Sequence, residues 1–445
     1  MIISDFALIL TDSFDYIQVC NMSAPQYKSQ FLKILEERGY LNQITHSKEL
    51  DELMSSAKIS AYIGFDCTAA SLHVGSLIQI MILRILQECG HQPIVLLGGG
   101  TTKIGDPSGK DEARQLLDEK RIAENLRGIE ATLRKFDLSL TDKKYPEFKF
   151  VNNDEWLREL NYIELLRDFG RHFSVNRMLS FDSVKLRLER EQPLSFLEFN
   201  YMILQSYDFY ILNQKYNCRL QIGGSDQWGN IVSGVDLTRK IAVVNKEISA
   251  AKEVFGLTTP LLTTSDGKKM GKTADGAVWL SGDMLSPFDY FQYFRNVSDA
   301  DVERFTKYFT DVNFDSNKNI NESKEVLAFE TTKICHGEKI AAEVLQKARE
   351  IFISKNAAAY ELKEILVDPI QLKEGKKLTE IIKELGILES SGEAKRMIEG
   401  GAVKINDNQI KDINYKIYDA GEFNLSVGKK KFFKISLHSN PKRIK

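Results

Sequence analysis

Cysteine is sparse and scattered. The five residues, Cys20, Cys67, Cys89, Cys218 and Cys335, include no CxxC pair. They neither frame disulfides nor space out as a zinc site, so a reducing cytoplasm is the expected setting. No apolar stretch approaches the roughly 20 residues that cross a bilayer, which excludes a membrane-spanning helix. Basic residues are missing from residues 1–21, which hold Asp5, Asp12 and Asp15 but no Lys or Arg. A secretory signal or organellar presequence needs positive charge, so neither reading holds. Residues 1–29 therefore read as an extension without chemistry, either a disordered lead or a start set too early.

Net charge is also nearly absent, at −2, but this value hides an asymmetry. From Lys376 onward there are 15 Lys and Arg against 9 Asp and Glu, an excess of +6 that leaves −8 on the rest. A basic terminal module on an acidic body fits a polyanionic partner, and equally an ordinary solvated surface. With 445 residues, 43% apolar and 27% charged, the chain has the make-up of a globular protein of about three domains.

What is present begins with Lys58 to Met81, KISAYIGFDCTAASLHVGSLIQIM. Ile59 to Phe65 is short, apolar and β-prone, and reads as a buried strand. Asp66 to Ser71 supplies loop residues, and Leu77 to Leu86 reads as an apolar helix. A strand, turn and helix N-terminus in this order present backbone N–H groups to an anion. His73 and Gly75 fall at the helix start, where glycine admits a ligand to the backbone and histidine can donate to a phosphate oxygen. Asp66 falls at the carboxyl edge of the strand. A plain glycine turn with a capping histidine accounts for the same residues equally well.

The next strand, Pro93 to Leu97, runs into Gly98-Gly99-Gly100 and the turn-rich segment from Thr101 to Lys110. Residues 115–145 read as helical, carrying on from a helix with Arg114, and Phe148 to Asn152 reads as a further strand. This alternation predicts a doubly wound parallel sheet. Leu194 to Tyr210, read as one helix, brings Tyr201, Gln205 and Asp208 onto one face. Phe196, Phe199, Met202, Ile203 and Leu204 cover the other sides. Buried Asp and Gln need partners, supplied by an internal network or by a polar ligand. Cys218 to Ile222 is another strand, followed by Gly223 to Asn230. Beyond Pro260, Lys268, Lys269 and Lys272 lie among glycines in a mobile basic loop that suits phosphates and reads equally as a plain solvated loop. Residues 287–352 read as helical. After Lys376 come a helix at Leu378 to Leu385, a second helix capped by Ser391 with Lys395 and Arg396 on it, and short strands ending near Lys429 to Lys431.

Six motifs in order carry a resemblance: YIGFD with Tyr62 and Asp66, HVGS from His73, GDPSGK from Asp106, YMILQSYD from Tyr201, QIGGSDQWGN from Gln221 and KMGKT from Lys269. Together they resemble the bacterial-type tyrosyl-tRNA synthetases, from about residue 30 to the C-terminus. The resemblance implies a Rossmann-like catalytic domain over 30–258, a KMSKS-type loop and linker over 259–284, a helical anticodon-side domain over 285–368 and a small α+β S4-like RNA-binding domain over 376–445. It implies Tyr62 and Asp208 at the tyrosine phenol, and Asp106, Tyr201 and Gln205 at the ammonium. Asp66, Gly224, Asp226 and Gln227 correspond to positions near the ammonium, carboxylate or ribose; Gln227 is assigned to tyrosine, and the other three join His73, Gly75 and Ser76 at ATP. His73, Lys110, Arg114, Lys269 and Lys272 would surround anionic oxygens in catalysis, and both of these last lysines also belong to the ATP site. Lys395, Arg396, Lys404, Lys429, Lys430 and Lys431 are the basic residues expected to hold RNA. The implied partners are tyrosine, ATP with Mg2+ as substrate, tRNA(Tyr) and a second copy of the chain; no zinc, tightly bound cofactor, DNA or membrane is expected. Ser76 stands where the family often has a second histidine. Gly271 stands where it often has serine, and is expected only to loosen the loop. The alternatives are a synthetase for tryptophan, disfavoured because an indole has no hydroxyl for Tyr62 and Asp208, and a catalytically silent RNA-binding relative.

Overall fold

The computed structural model describes residues 27–108, 117–245, 253–267, 270–273, 276–354, 363–367, 375–406, 408–418, 423–428 and 431–437. The expected extension thus lies outside the described residues up to residue 26. Lys110, Arg114, Lys269, Lys429 and Lys430 lie outside them as well. The chain divides into two compact units, residues 1–341 and 342–445.

The first unit is built on a six-stranded sheet. Its strands are β1 (Gln43–Ile44), β2 (Ser60–Asp66), β3 (Gln92–Gly98), β4 (Lys149–Asn152), β5 (Cys218–Gly224) and β6 (Phe255–Thr259), in the order β1-β6-β5-β2-β3-β4. β2 pairs in parallel with both β3 and β5, and β1 alone runs antiparallel, against β6. The chain builds outward from β2 through β3 and β4, then crosses back to β5 and β6. The order therefore reverses between β2 and β5, and in such sheets ligands bind outside the carboxyl ends at that reversal. The predicted doubly wound sheet is present.

Local sequence explains these elements. β2 and β3 are largely apolar on both faces, as strands covered on both sides must be, whereas β5 carries Leu220 and Ile222 on one face and the buried polar Arg219 and Gln221 on the other. The helix Leu77–Glu88 buries Leu77, Ile78, Ile80, Met81, Ile82, Leu83, Ile85 and Leu86 all but completely, so it lies in the core rather than on the surface. At about 1.5–3 kcal/mol per fully buried large aliphatic side chain, that helix contributes strongly to the unit's stability. Pro287–Arg295, Val302–Phe309 and Ile320–His336 form a helical group, with Val302–Phe309 also in contact with the helix Leu77–Glu88. Phe291, Phe294, Phe305 and Phe309 are fully buried there, with the Phe294 and Phe309 rings meeting edge-on at 5.9 Å.

Three expectations need correction. The region read as helical over 115–145 is a helix only over Glu119–Arg134, followed by a single tight turn at Leu138–Leu140, because Asp137 uses its carboxylate to accept from the Ser139 and Phe148 N–H groups. The single helix expected over Leu194 to Tyr210 is two, Phe196–Phe199 and Tyr201–Tyr216, meeting at Asn200. Phe196 lies on the first of these and is 68% exposed, so it does not cover the polar face. In the second unit, Ser390 rather than Ser391 caps the helix Ser391–Glu399, accepting from the Glu393 N–H.

The second unit has its own core. A five-stranded sheet runs in the order Asn408–Ile410, Val403–Ile405, Phe423–Val427, Lys431–Leu437, Lys363–Val367, antiparallel except for the last pair. Two helices, Leu378–Glu384 and Ser391–Glu399, pack on it through Leu378, Ile382, Ala394 and Ile398 against Val403 and Leu425. This is the small α+β module expected of an S4-like domain.

Candidate active site

A cavity of about 290 Å³ opens at the reversal between β2 and β5. Tyr62, Asp66, Gly75, Ser76, Asp106, Tyr201, Gln205, Asp208, Gly224, Asp226 and Gln227 all line it. Residues from five separated stretches of sequence thus meet in one place.

The deep end is formed by Tyr62 on β2 and Gln221 on β5, which are direct cross-strand partners, and by Asp208 on the helix Tyr201–Tyr216. Asp208 accepts from Trp156 Nε1 at 2.8 Å and from Asn153 Nδ2 at 2.9 Å. Burial pushes its carboxyl up to about 7, against the pull of those two donors. Burial, with the Asp208 charge beside it, also pushes the Tyr62 phenol well above its usual value. Tyr62 Oη and Gln221 Oε1 are both buried with no hydrogen-bond partner among the described residues. A buried polar atom left unmade is expensive, by about 1–3 kcal/mol, unless a ligand completes it. Here two such atoms flank a carboxylate at one end of an open cavity.

Two networks fix the middle of the cleft. In one, Asn153 Nδ2 donates to Thr101 Oγ1 at 3.0 Å, Thr101 donates to Asp66 Oδ1 at 2.9 Å, and the Tyr201 hydroxyl donates to Asp66 Oδ2 at 3.2 Å. In the other, Asp106 accepts from Gln227 Nε2 at 2.7 Å and from the Ser108 N–H at 2.9 Å, while Asn230 Nδ2 donates to Gln205 Oε1 at 3.0 Å and Gln227 Oε1 at 3.2 Å. Two carboxylates, Asp66 and Asp106, face the same space as Tyr201 and Gln205, a set of acceptors suited to an ammonium group.

The outer end is made largely of backbone. His73 opens the short turn Val74–Ser76, and its Nδ1 accepts from the Gly75 N–H at 2.9 Å. That bond assigns the proton to Nε2, which is the donor an anionic oxygen needs. Gly75, Ser76 and Gly224 line this end of the cavity. Lys272 lies in a short strand, Lys272–Thr273, paired with Gly276–Ala277. Gly271 is not loosely held: it is buried, at φ +104, with a Cβ there meeting His73 Nδ1 at 2.9 Å and the Gly75 nitrogen at 3.1 Å. The expectation that it only loosens the loop is therefore wrong; glycine is what lets this segment pack. Lys395, Arg396, Lys404 and Lys431 all belong to the second unit, on its helix Ser391–Glu399 and its sheet. Among the described residues no group of three or more His, Cys, Asp or Glu could hold a metal ion. No helix among them is long and apolar enough to cross a membrane.

Sequence reasoning missed Thr101, Asn153, Trp156, Gln221 and Asn230 as site residues. Asn153 and Trp156 follow β4 at the carboxyl edge of the sheet, a signal that was available. For Thr101 and Asn230 the only signal is nearness to a glycine run and to Gln227.

Comparison with known proteins agrees with this geometry. The family described as tRNA synthetases class I (W and Y) matches residues 54–353. The tyrosine–tRNA ligase SYY-like C-terminal domain matches residues 362–435. The chain is 54% identical over 429 residues to the tyrosine–tRNA ligase of Ehrlichia canis (strain Jake), covering 93% of this chain and 99% of that protein. It is 53% identical over 414 residues to that of Zymomonas mobilis, covering 91% and 98%. A C-terminally truncated mitochondrial tyrosyl-tRNA synthetase from Aspergillus nidulans is similar in structure, with a TM-score of 0.65 at 31% identity over 73% of this chain and 94% of that one. The chain belongs to the tyrosine–tRNA ligase family of class I aminoacyl-tRNA synthetases.

Proposed function

We propose that the chain activates L-tyrosine with ATP and then transfers it to the 3′ end of tRNA(Tyr). The observation that carries this reading is the deep end of the cleft, where the orphaned Tyr62 hydroxyl and the Asp208 carboxylate await a hydroxyl-bearing ring. Phenylalanine would leave the Tyr62 hydroxyl unpaired and bring Asp208 no further donor, and an indole has no hydroxyl to offer them. Asp106, Tyr201 and Gln205 would hold the ammonium, with Gln227 keeping Asp106 in place.

The chemistry needs position more than proton transfer. The tyrosine carboxylate attacks the α-phosphorus of ATP and pyrophosphate leaves, giving tyrosyl-adenylate. A terminal ribose hydroxyl of the tRNA then attacks the carbonyl and AMP leaves. Catalysis must come from alignment and from donors aimed at the developing charge. His73 Nε2–H, Ser76 and the backbone at Gly75 are suited to ATP oxygens, with Asp66, Gly224 and Asp226 around the nucleoside and amino ends of the adenylate. Lys110, Arg114, Lys269 and Lys272 are the cations of the proposed reaction, and Mg2+ arrives with ATP as substrate.

The basic second unit is the proposed RNA module, through Lys395, Arg396, Lys404 and Lys429 to Lys431. Exposed apolar side chains gather between residues 162 and 197, among them Ile163, Val175, Leu186, Leu188 and Phe196, which supports a homodimer. The proposed compartment is the cytoplasm.

The test is ATP–pyrophosphate exchange with each aromatic amino acid. Tyrosine alone should support it; equal exchange with tryptophan, or none with tyrosine, overturns the reading. A chain ending at Gly375 should keep exchange and lose tRNA charging at moderate salt.

A further inference from the structure

Residues 270–271 and 278–280 are stitched together and onto the turn Leu72–Gly75. The Met270 N–H donates to the Leu262 carbonyl at 2.9 Å, and the Val278 N–H donates to the Gly271 carbonyl at 3.0 Å. The Val74 N–H donates to the Val278 carbonyl at 2.9 Å, and the Leu280 N–H to the Leu72 carbonyl at 2.9 Å. Between them, His73 and Trp279 form an antiparallel bridge with their rings 6.3 Å apart. Gly271 and Gly75 meet at the centre of this seam. A Cβ on Gly75 would lie 3.2 Å from the Met270 carbonyl oxygen, and one on Gly271 would press on His73 and on the Gly75 nitrogen. From the other side, the Gly271 N–H engages the hydroxyl of Tyr293 on the helix Pro287–Arg295.

We infer that Gly271 is a positioning residue for adenylate formation, a backbone clip that ties the lysine-bearing segment to the histidine turn, with Tyr293 as its latch. The inference rests on the functional reading above. Gly271 directly precedes Lys272 in the chain, so holding it against His73 fixes where the backbone of that lysine begins. Cations that stabilise charge on a departing pyrophosphate act only when placed to within a fraction of an ångström. Only glycine fits, for two reasons: φ +104 strains any other residue, and the space beyond its Cα is filled.

A built-in control exists. Gly276, in the same hairpin, has φ +115 but nothing within 4 Å of its would-be Cβ. Gly276→Ala imposes comparable backbone strain without touching the histidine turn. The experiment measures pyrophosphate exchange and tyrosine binding on the full chain carrying Gly271→Ala, Gly276→Ala or Tyr293→Phe. Gly271→Ala should lower the exchange kcat by about ten- to a hundredfold, from strain plus displacement of the clip, with tyrosine affinity held within about twofold. Tyr293→Phe, which keeps the ring and removes the latch, should lower kcat by roughly three- to tenfold with the same unchanged affinity. Gly276→Ala should lose clearly less than Gly271→Ala. Equal losses for the two glycines would assign the effect to hairpin strain and overturn the clip. So would an unchanged kcat in Gly271→Ala, or a tyrosine affinity that falls in step with the rate. Should Gly271→Ala fail to fold, Tyr293→Phe decides alone, an unchanged kcat counting against the clip. Failure of the parent chain to exchange pyrophosphate would instead remove the functional reading itself.

Discussion

The two ends of the cleft are built differently. The deep end consists of side chains that strands and helices hold rigid: Tyr62 and Gln221 side by side on β2 and β5, and Asp208 gripped by Asn153 and Trp156. The outer end consists of backbone brought close by glycine at positions 75, 224 and 271. The deep end can distinguish one ring from another, because its buried polar atoms are unpaired until the right ligand completes them. In the proposed reaction the outer end would handle phosphates, which every activation shares, with backbone N–H groups and a fixed chain path. Specificity is thus stored in desolvated side chains, and turnover in the geometry of the chain.

The largest test of that contrast is Asp208→Ala. It removes the proposed acceptor for the substrate hydroxyl and strands the buried donors of Asn153 and Trp156. Exchange should fall in kcat/KM for tyrosine by on the order of a thousandfold, about 4 kcal/mol at 1.4 kcal/mol per tenfold, while the KM for ATP changes little. An equal loss in the ATP term would show that the two ends are not separable.

Acidity sharpens the same contrast. The Asp208 carboxyl sits at about 7 rather than 3.8, because burial favours its neutral form. The folded chain therefore binds this proton more readily than the unfolded one, so stability from this group falls as pH rises from about 4 to 7. Tyrosine recognition runs the other way, since the ionised form is the acceptor. The tyrosine dissociation constant should climb as pH drops below 7, approaching about tenfold per unit, with a flat profile in Asp208→Asn. A wild-type profile that is flat between pH 8 and 5.5 would remove Asp208 from recognition.

Smaller still is Tyr62→Phe, which deletes one orphaned hydroxyl but leaves the ring packed on Phe209. Tyrosine activation should weaken by roughly five- to tenfold and phenylalanine activation should not, so the ratio of the two kcat/KM values narrows. The smallest expected effect is at the outer end. Ser76→Ala removes one neutral donor in a place crowded with backbone donors, and should raise the KM for ATP by no more than about threefold, with tyrosine affinity unchanged. A larger loss would mean that this hydroxyl has taken over the part played by histidine elsewhere in the family.

Much of the site was legible before the fold was known. β2 and the helix after it followed from an apolar run, a glycine turn and a second apolar run, and the stripe of Tyr201, Gln205 and Asp208 followed from helical spacing. The remainder was not legible because it depends on distant neighbours. Trp156 looks like any buried aromatic until its Nε1 is found on Asp208. Thr101 becomes part of the site only because it bridges Asn153 and Asp66. Gly271 was misjudged for the same reason: glycine in a basic loop suggests freedom, whereas here it marks a place with no room for anything larger.

The sequence by itself determined the alternation of strands and helices, the residue types facing the cleft and the basic character of the second unit, since period, turn chemistry and charge are local properties of the chain. Tertiary structure decided which carboxylate is gripped, which hydroxyl is left without a partner and which glycine is locked in place. Those are statements about desolvation and contact between segments far apart in the chain, and they acquire an energy only when the sheet, the helix Tyr201–Tyr216 and the backbone at Gly271 close around the same cleft.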